Sequence, residues 1–445
     1  MATLAQTRFV GRRAELERLE QSWAEAAAGR PVTWVVGGDA GVGKSRLVRE
    51  FVTRATANGA TVLIGGCVDL ADHGLPFWPF IEAIRTHIAE LDDDERADVL
   101  GPGGPELTRM LPELTGQPVA VGSAAGASAQ GRLFELLLGL LERLAQHRPL
   151  VLVVEDIHWA DRSTRDLLAF LARTLRTERI MVIATHRADE LYRGHPLRPF
   201  LAELYRARVV RLLELRPFTR DEVADQLAAI TGTRPDPALA DAIFERSEGN
   251  AFYAEELVAV SHEHDGGELP LTLRDILLAR VEHRSPVAQE VLRLAAVGGR
   301  RVPVRLLAEV SPLPAADLTV ALREAVAHHL LVPAGLDGYA FSHALLREAI
   351  YQELLPGERG ELHLHYGAAL TAHPELAGDS AAVPSQLAYH WSAAHDLPQA
   401  LAACVLAGRA AEARWGFAEA QKHYERALEF WDRVPDAEER ARSIT

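Results

Sequence analysis

Cysteine is nearly absent from this chain: Cys67 and Cys404 are the only two in 445 residues, and they stand far apart. That excludes a disulfide-framed fold and a cysteine zinc site. It suits a reducing cytosol, so a cytoplasmic location is expected. No run of eighteen apolar residues occurs, which leaves no membrane-spanning helix. The opening stretch from Met1 carries its first charge at Arg8 and no long apolar region follows, so it does not read as a signal peptide. Positive charge is in deficit, with 47 Lys and Arg against 62 Asp and Glu for a net charge of −15. A domain that rests on duplex DNA usually presents a basic face. None is evident here, so DNA contact by this chain itself is not expected.

What is present is the composition of a globular protein, 48% apolar and 24% charged. At 445 residues it is too long for one core, and about two to four domains follow.

The chain is organised around Gly38-Asp39-Ala40-Gly41-Val42-Gly43-Lys44-Ser45, a G-x-x-x-x-G-K-S octet. The apolar run Val32 to Val36 enters it, and Arg46 to Phe51 leaves it with helical spacing. Strand, glycine loop and helix is the context this motif requires. The glycines let the backbone curl so that successive N–H groups point at a phosphate, and the helix behind adds the positive end of its dipole. Lys44 can reach β- and γ-phosphates, and the Ser45 hydroxyl can ligate Mg²⁺. Upstream, Val10-Gly11-Arg12 precedes an amphipathic helix through Leu16, Leu19 and Trp23; the turn is either a plain lead-in to a capping helix or a neighbour of a nucleotide base.

Pro149 to Asp156 reads as a buried parallel strand whose C-terminal tip carries Glu155 and Asp156. Ligands bind at that end of open α/β sheets. One acid can hold Mg²⁺, often through water, and the other can orient or deprotonate an attacking water. Further strands are expected over 60–67, 180–184 and 209–215, and helices over 43–58, 80–90, 131–147 and 163–175. Residues 101–131 have turn composition and read as a surface insertion with one short helix near 105–112. Arg187 follows the 180–184 strand, either as an exposed surface arginine or as a reader of the γ-phosphate.

After Pro217 the texture turns helical, with amphipathic segments at 219–231, 236–248, 250–263 and 272–284 and Asn250 as a helix N-cap. Residues 285–355 suggest a winged helix, namely three helices, a hairpin turning at Gly335-Leu336-Asp337-Gly338, and a final helix from His343. The third helix carries Asp317, Arg323 and Glu324, too acidic for DNA recognition, so a packing role is favoured. His343 can cap its helix or offer an N–H donor to an anion. From 357 onward all is helical. Ala407, Gly408, Ala411, Ala420, Tyr424 and Ala427 have the small/aromatic spacing of one tetratricopeptide unit, which cannot bury its faces alone. A continuing solenoid is therefore expected. The four regions so defined are 1–217, 218–284, 285–356 and 357–445.

These motifs together resemble the STAND class of signalling P-loop ATPases, and within it the N-terminal half of the large ATP-binding LuxR-type (LAL, MalT-like) transcriptional regulators. Phe9 to Leu16 resembles the family's opening signature, Gly38 to Ser45 its Walker A loop and Val151 to Asp161 its Walker B segment with the His-Trp-Ala-Asp tail. Thr185-His186-Arg187 falls at the sensor-arginine position. Arg246 to Phe252 is similar to the Gly-Asn-Pro-Phe segment, and Phe341-Ser342-His343 to the winged-helix histidine motif. The resemblance covers about residues 8–435. It implies an α/β P-loop fold with a parallel sheet of order 5-1-4-3-2, then an all-α lid, a winged helix and the start of a TPR-like repeat.

It also implies a cycle. An ADP-bound closed monomer would open to an ATP-bound oligomer when an inducer or protein partner docks on the repeats. Nucleotide would be held by Val10, Arg12, Gly38, Ala40 to Ser45 and His343, the last touching the ADP β-phosphate. Lys44, Glu155, Asp156 and Arg187 would act on ATP, with Mg²⁺ on Ser45 and Glu155. DNA would be reached only through a C-terminal domain that these 445 residues do not contain. Two positions depart from the family: Glu155-Asp156 replaces its Asp-Asp or Asp-Glu, and Ala251 stands where a proline packs on adenine.

Against this switch stand an AAA-like motor or loader acting on nucleic acid or protein, and a small-molecule kinase. The kinase lacks an acceptor lid in the sequence. The motor would want a basic channel, which the acidic balance disfavours. A slow ATPase in the service of signalling is the expectation.

Overall fold

The computed structural model describes residues 8–68, 74–110, 127–263, 272–335, 337–378 and 382–442. The chain divides into two compact units. The first comprises Met1–Val68, Pro76–Glu255 and Ala413–Phe417, and the second Asp69–Leu75, Glu256–Glu412 and Ala418–Thr445.

In the first unit, α1 (Arg13–Ala27), β1 (Val32–Gly37), α2 (Lys44–Ala57), β2 (Thr61–Gly66), α3 (Trp78–Ile88), α4 (Asp93–Leu100), α5 (Gly104–Met110) and α6 (Ala127–His147) lead to β3 (Leu150–Glu155). Then follow α7 (Arg162–Thr174), β4 (Ile180–Thr185), α8 (Leu197–Arg206), β5 (Arg211–Glu214), α9 (Arg220–Thr231) and α10 (Pro237–Ser247). The five strands form one sheet in the order β2-β3-β4-β1-β5, every pairing parallel. This is the expected 5-1-4-3-2 order read from the opposite edge.

The near-continuous apolar runs have a direct cause. Strand alternation sends successive residues to opposite faces, and both faces are covered. Trp34, Val36, Val151, Val153, Met181 and Ile183 pack with Leu16, Leu19, Leu47 and Phe51 from α1 and α2. Val35, Leu152, Val154, Val182 and Ala184 pack on the other side with Ile84, Leu140, Leu167, Leu171 and Leu204. Expected helices at 43–58, 80–90, 131–147 and 163–175 fall on α2, α3, α6 and α7. Helices α4 and α8 were not anticipated. The first is held by an Asp92–Glu95 capping box. The second begins directly after Pro196. Most of the glycine-rich 121–128 stretch lies outside the described residues.

Helix α11 (Ala251–Glu263) starts in the first unit, and its residues from Glu256 belong to the second. There, α12 (Leu273–Glu282), α13 (Pro286–Gly298), β6 (Arg301–Pro303), α14 (Val304–Val310), α15 (Ala315–Ala327), β7 (Leu331–Ala334), β8 (Gly338–Phe341) and α16 (Ala344–Glu353) follow. The hairpin β7–β8 forms as expected, although Leu336 of its turn lies outside the described residues. β6 adds a third antiparallel strand, giving the order β6-β8-β7. At three residues ending in Pro303 it is too short to signal itself by alternation.

Helices α17 (Pro356–Ala372), α18 (Val383–Ala393), α19 (Leu397–Ala413), α20 (Phe417–Trp431) and α21 (Ala437–Arg442) follow, with Ala413–Phe417 belonging to the first unit and the rest to the second. The small/aromatic spacing has a packing basis: a Cβ on Gly408 would stand 2.4 Å from the Tyr424 ring, so α19 and α20 touch where only glycine fits. No helix among the described residues is long and apolar enough to cross a membrane.

Candidate functional site

The loop between β1 and α2 lies at the C-terminal edge of the sheet. Gly38, Gly41 and Gly43 have φ of 143°, 80° and 106°, a region costly for residues with a Cβ. Neighbouring strands pin the loop's entry: His186 N–H donates to the Val36 carbonyl at 3.0 Å, Leu215 N–H to Gly37 at 2.9 Å and Ala188 N–H to Gly38 at 3.1 Å. The first amides of α2 have no intrahelical acceptor.

Lys44 is buried, and its Nζ donates to the Gly38 and Asp39 carbonyls at 2.6 and 2.8 Å. Burial pushes its ammonium below the usual lysine range. Asp156 and Asp189 pull it back up, Arg187 pushes it further down, and Asp39 pulls it up. A desolvated cation whose hydrogen bonds go to neutral carbonyls is matched to an incoming anion. Ser45 begins the same helix with its side chain exposed.

The outer side of the loop is held by three donors from two distant segments. The Ala40 carbonyl accepts from Asn250 Nδ2 at 2.8 Å, the Gly41 carbonyl from Phe252 N–H at 3.0 Å, and the Val42 carbonyl from Arg12 Nη2 at 3.2 Å. Arg12 is buried with its guanidinium 4.7 Å from the Phe218 ring centre, and it also donates to the Arg216 carbonyl. Asn250 Oδ1 accepts from Tyr253 N–H at 3.1 Å, so the expected N-cap exists and its amide is used as well. Ala251, the departure from the family's proline, is buried, and its carbonyl accepts from Gln226 Nε2 at 2.8 Å. Val10 is half-buried beside Gly11.

At the tip of β3, Glu155 and Asp156 are half-buried. Asp156 has φ of 59°, and its N–H donates to Thr185 Oγ1 at 3.0 Å, tying the acid to the end of β4. Arg187 is buried, lies 5.1 Å from the Trp159 ring centre and pairs with Glu190. The other Glu190 oxygen stands 3.3 Å from His158 Nε2. Burial, with Arg187 and Lys44 adding, drives His158 down to about 2, so it is neutral and not a cation. The Arg187 N–H points at His158 Nδ1, 3.4 Å away, which places the imidazole proton on Nε2. Next along the chain, Asp189 Oδ1 accepts from Ala40 N–H at 3.1 Å.

The structure therefore gathers Gly38 to Ser45, Arg12, Arg187 and the 155–156 acids into the first unit. His343 lies in the second, exposed and directly before α16, with no side-chain cap bond. Sequence reasoning missed the contacts of Asn250, Phe252, Asp189, Glu190 and His158. The Gly249-Asn250 step and the His-Trp-Ala-Asp tail were visible, but which loop atoms they meet was not.

The donor set fits a magnesium-bound polyphosphate: amides and a buried ammonium for the phosphates, and a hydroxyl with two carboxylates for the metal. Among the described residues no three His, Cys, Asp or Glu side chains gather into a metal cluster. Mg²⁺ usually takes most of its ligands from phosphate and water.

Sheet order, loop and strand-tip acids together define a P-loop NTPase fold. Residues 8–183 match the family described as AAA ATPase domain. An uncharacterized protein of Rhizobium meliloti (strain 1021) is 27% identical over 97% of this chain and 43% of its own length. The chain thus spans less than half of that curated relative. Among solved structures, it is similar in fold to a signal transduction ATPase with numerous domains (STAND) protein with a tetratricopeptide repeat sensor from Pyrococcus horikoshii. That match has a TM-score of 0.51 and 14% identity, over 99% of this chain and 63% of that one. The Aeropyrum pernix ORC1 protein, solved in complex with DNA, matches at a TM-score of 0.36 and 16% identity over 79% of this chain and 95% of that one.

Proposed function

We propose that this chain is a nucleotide-dependent regulatory switch that binds ATP or ADP with Mg²⁺ and hydrolyses ATP slowly. One observation carries the reading. Three successive carbonyls of the phosphate loop, at Ala40, Gly41 and Val42, are each held by a donor from Asn250, Phe252 or Arg12. A phosphate that reshapes the loop's inner amides must move those carbonyls, and with them the start of α11.

In this reading Lys44 and the loop amides hold the phosphates, Ser45 and Glu155 carry Mg²⁺, and Asp156 orients water. Arg187 reads the γ-phosphate, Val10 and Arg12 flank the base, and His343 contacts ADP in the closed form. The regions 218–284, 285–356 and 357–445 serve as lid, winged helix and TPR-like repeat. An inducer or protein partner on the repeat releases an ATP form that self-associates. As in LuxR-type regulators, DNA would be reached through a further domain.

The test is the nucleotide content of protein purified without added nucleotide. Stoichiometric ADP in the denatured supernatant supports the switch. Empty protein, turnover far above a few per minute, or strong stimulation by DNA overturns it in favour of a motor.

A further inference from the structure

Two adjacent acids, Asp189 and Glu190, occupy donors that an incoming phosphate would use. Asp189 takes the amide of Ala40 at the loop tip and is among the anions acting on Lys44. Glu190 takes the guanidinium of Arg187 with one oxygen, and its other oxygen lies 3.3 Å from His158 Nε2. The stretch that carries them is fastened to the loop through the Ala188 amide on the Gly38 carbonyl. Both acids can leave cheaply: Asp189 is exposed and Glu190 has a third of its side chain in water. Arg187, by contrast, is buried, with its guanidinium 5.1 Å from the Trp159 ring centre.

We propose that Asp189 and Glu190 form a built-in phosphate mimic, and that Glu190 is a positioning residue that withholds Arg187 until a γ-phosphate displaces its carboxylate. The exchange breaks no covalent bond. Phosphate oxygens take the Arg187 and Ala40 donors, and the two carboxylates turn to solvent. ADP, with no γ-phosphate, leaves the Arg187–Glu190 pair in place. Glu190 then sets the ratio of ATP to ADP affinity, and Asp189 lowers the affinity for both. The inference rests on Arg187 as the γ-phosphate reader, and the experiment separates the two.

Dissociation constants for ATP (with Mg²⁺, at 4 °C) and ADP are measured by calorimetry on the full chain. Glu190→Gln should tighten ATP about tenfold, the worth of one charge-assisted hydrogen bond, and leave ADP unchanged. Asp189→Asn should tighten both nucleotides. Arg187→Ala should loosen ATP alone. If Arg187→Ala leaves the ATP-to-ADP ratio unchanged, the role of Arg187 fails and the mimic with it. If Arg187→Ala shifts the ratio but Glu190→Gln shifts neither constant, or shifts both equally, the mimic alone is overturned. Should Glu190→Gln fail to fold, Glu190→Asp, with its carboxylate drawn back by one methylene, reads the same ratio.

Discussion

The side-chain amide of Asn250 donates to the carbonyl of Ala40 at 2.8 Å, joining positions 210 residues apart. The same side chain caps α11 through the Tyr253 amide. One residue thus closes the outer wall of the phosphate loop and starts the helix whose later residues belong to the second unit.

Asn250→Ala removes both bonds and should lower stability by about 1–2 kcal/mol while weakening nucleotide binding severalfold. Asn250→Asp keeps the cap but cannot donate to Ala40. It should therefore retain most of the stability and lose the same affinity. Chemical denaturation and calorimetry on the pair read the two effects separately; equal behaviour of both variants would refute the division.

Gly41→Ala and Gly43→Ala both force a Cβ into positive φ, costing about 1–2 kcal/mol each. Only the first also meets a wall, since its Cβ would lie 2.6 Å from Asn250 Oδ1 and 3.0 Å from Phe252 Cβ. Nothing lies within 4 Å of a Cβ at Gly43. Without nucleotide, the melting temperature should fall further for Gly41→Ala. A larger fall for Gly43→Ala would show that the 250–252 segment does not rest on the loop.

Lys44→Ala should abolish nucleotide binding while the chain stays folded, because the lysine's own partners are neutral carbonyls that water can satisfy. Equilibrium dialysis with labelled ATP and ADP, beside far-ultraviolet circular dichroism, is the check. Retained binding would remove the loop from any account of function.

Acid should destabilise the second unit. Burial holds both His363 and His423 at about 4, against an ordinary 6.5; Arg359 and Arg347 add to it at His363, and Lys422 at His423. The unfolded chain therefore binds more protons between about 4 and 6.5, so stability is full above that window and falls as pH drops through it. Each histidine contributes up to about 3 kcal/mol by this route. Urea midpoints at pH 7.5 and 5 should differ accordingly. A flat profile would mean that one or both side chains gain a partner on protonation.

The sheet was legible because its strands are short apolar runs bounded by glycines, acids and prolines, and because the octet at 38–45 fixes which end of the sheet is used. Tertiary hydrogen bonds were not legible. Glu190 lies three residues past Arg187, and nothing in that spacing says that its second oxygen faces His158, 32 residues upstream. Short elements such as β6 escaped for a similar reason. Three residues cannot show a period of two, and β6 exists because β8 offers it an edge.

The wall around the phosphate loop also fixes an order of events during synthesis. Gly38 to Ser45 leave the ribosome early, but the acceptors at Ala40 and Gly41 wait for Asn250 and Phe252, which at about 5–20 residues per second emerge roughly ten to forty seconds later. Until then the nascent chain holds a glycine loop with an open back. A chain stalled before residue 250 has a sheet, an octet and no finished outer wall, and the first unit still waits for Ala413–Phe417 to be made in full.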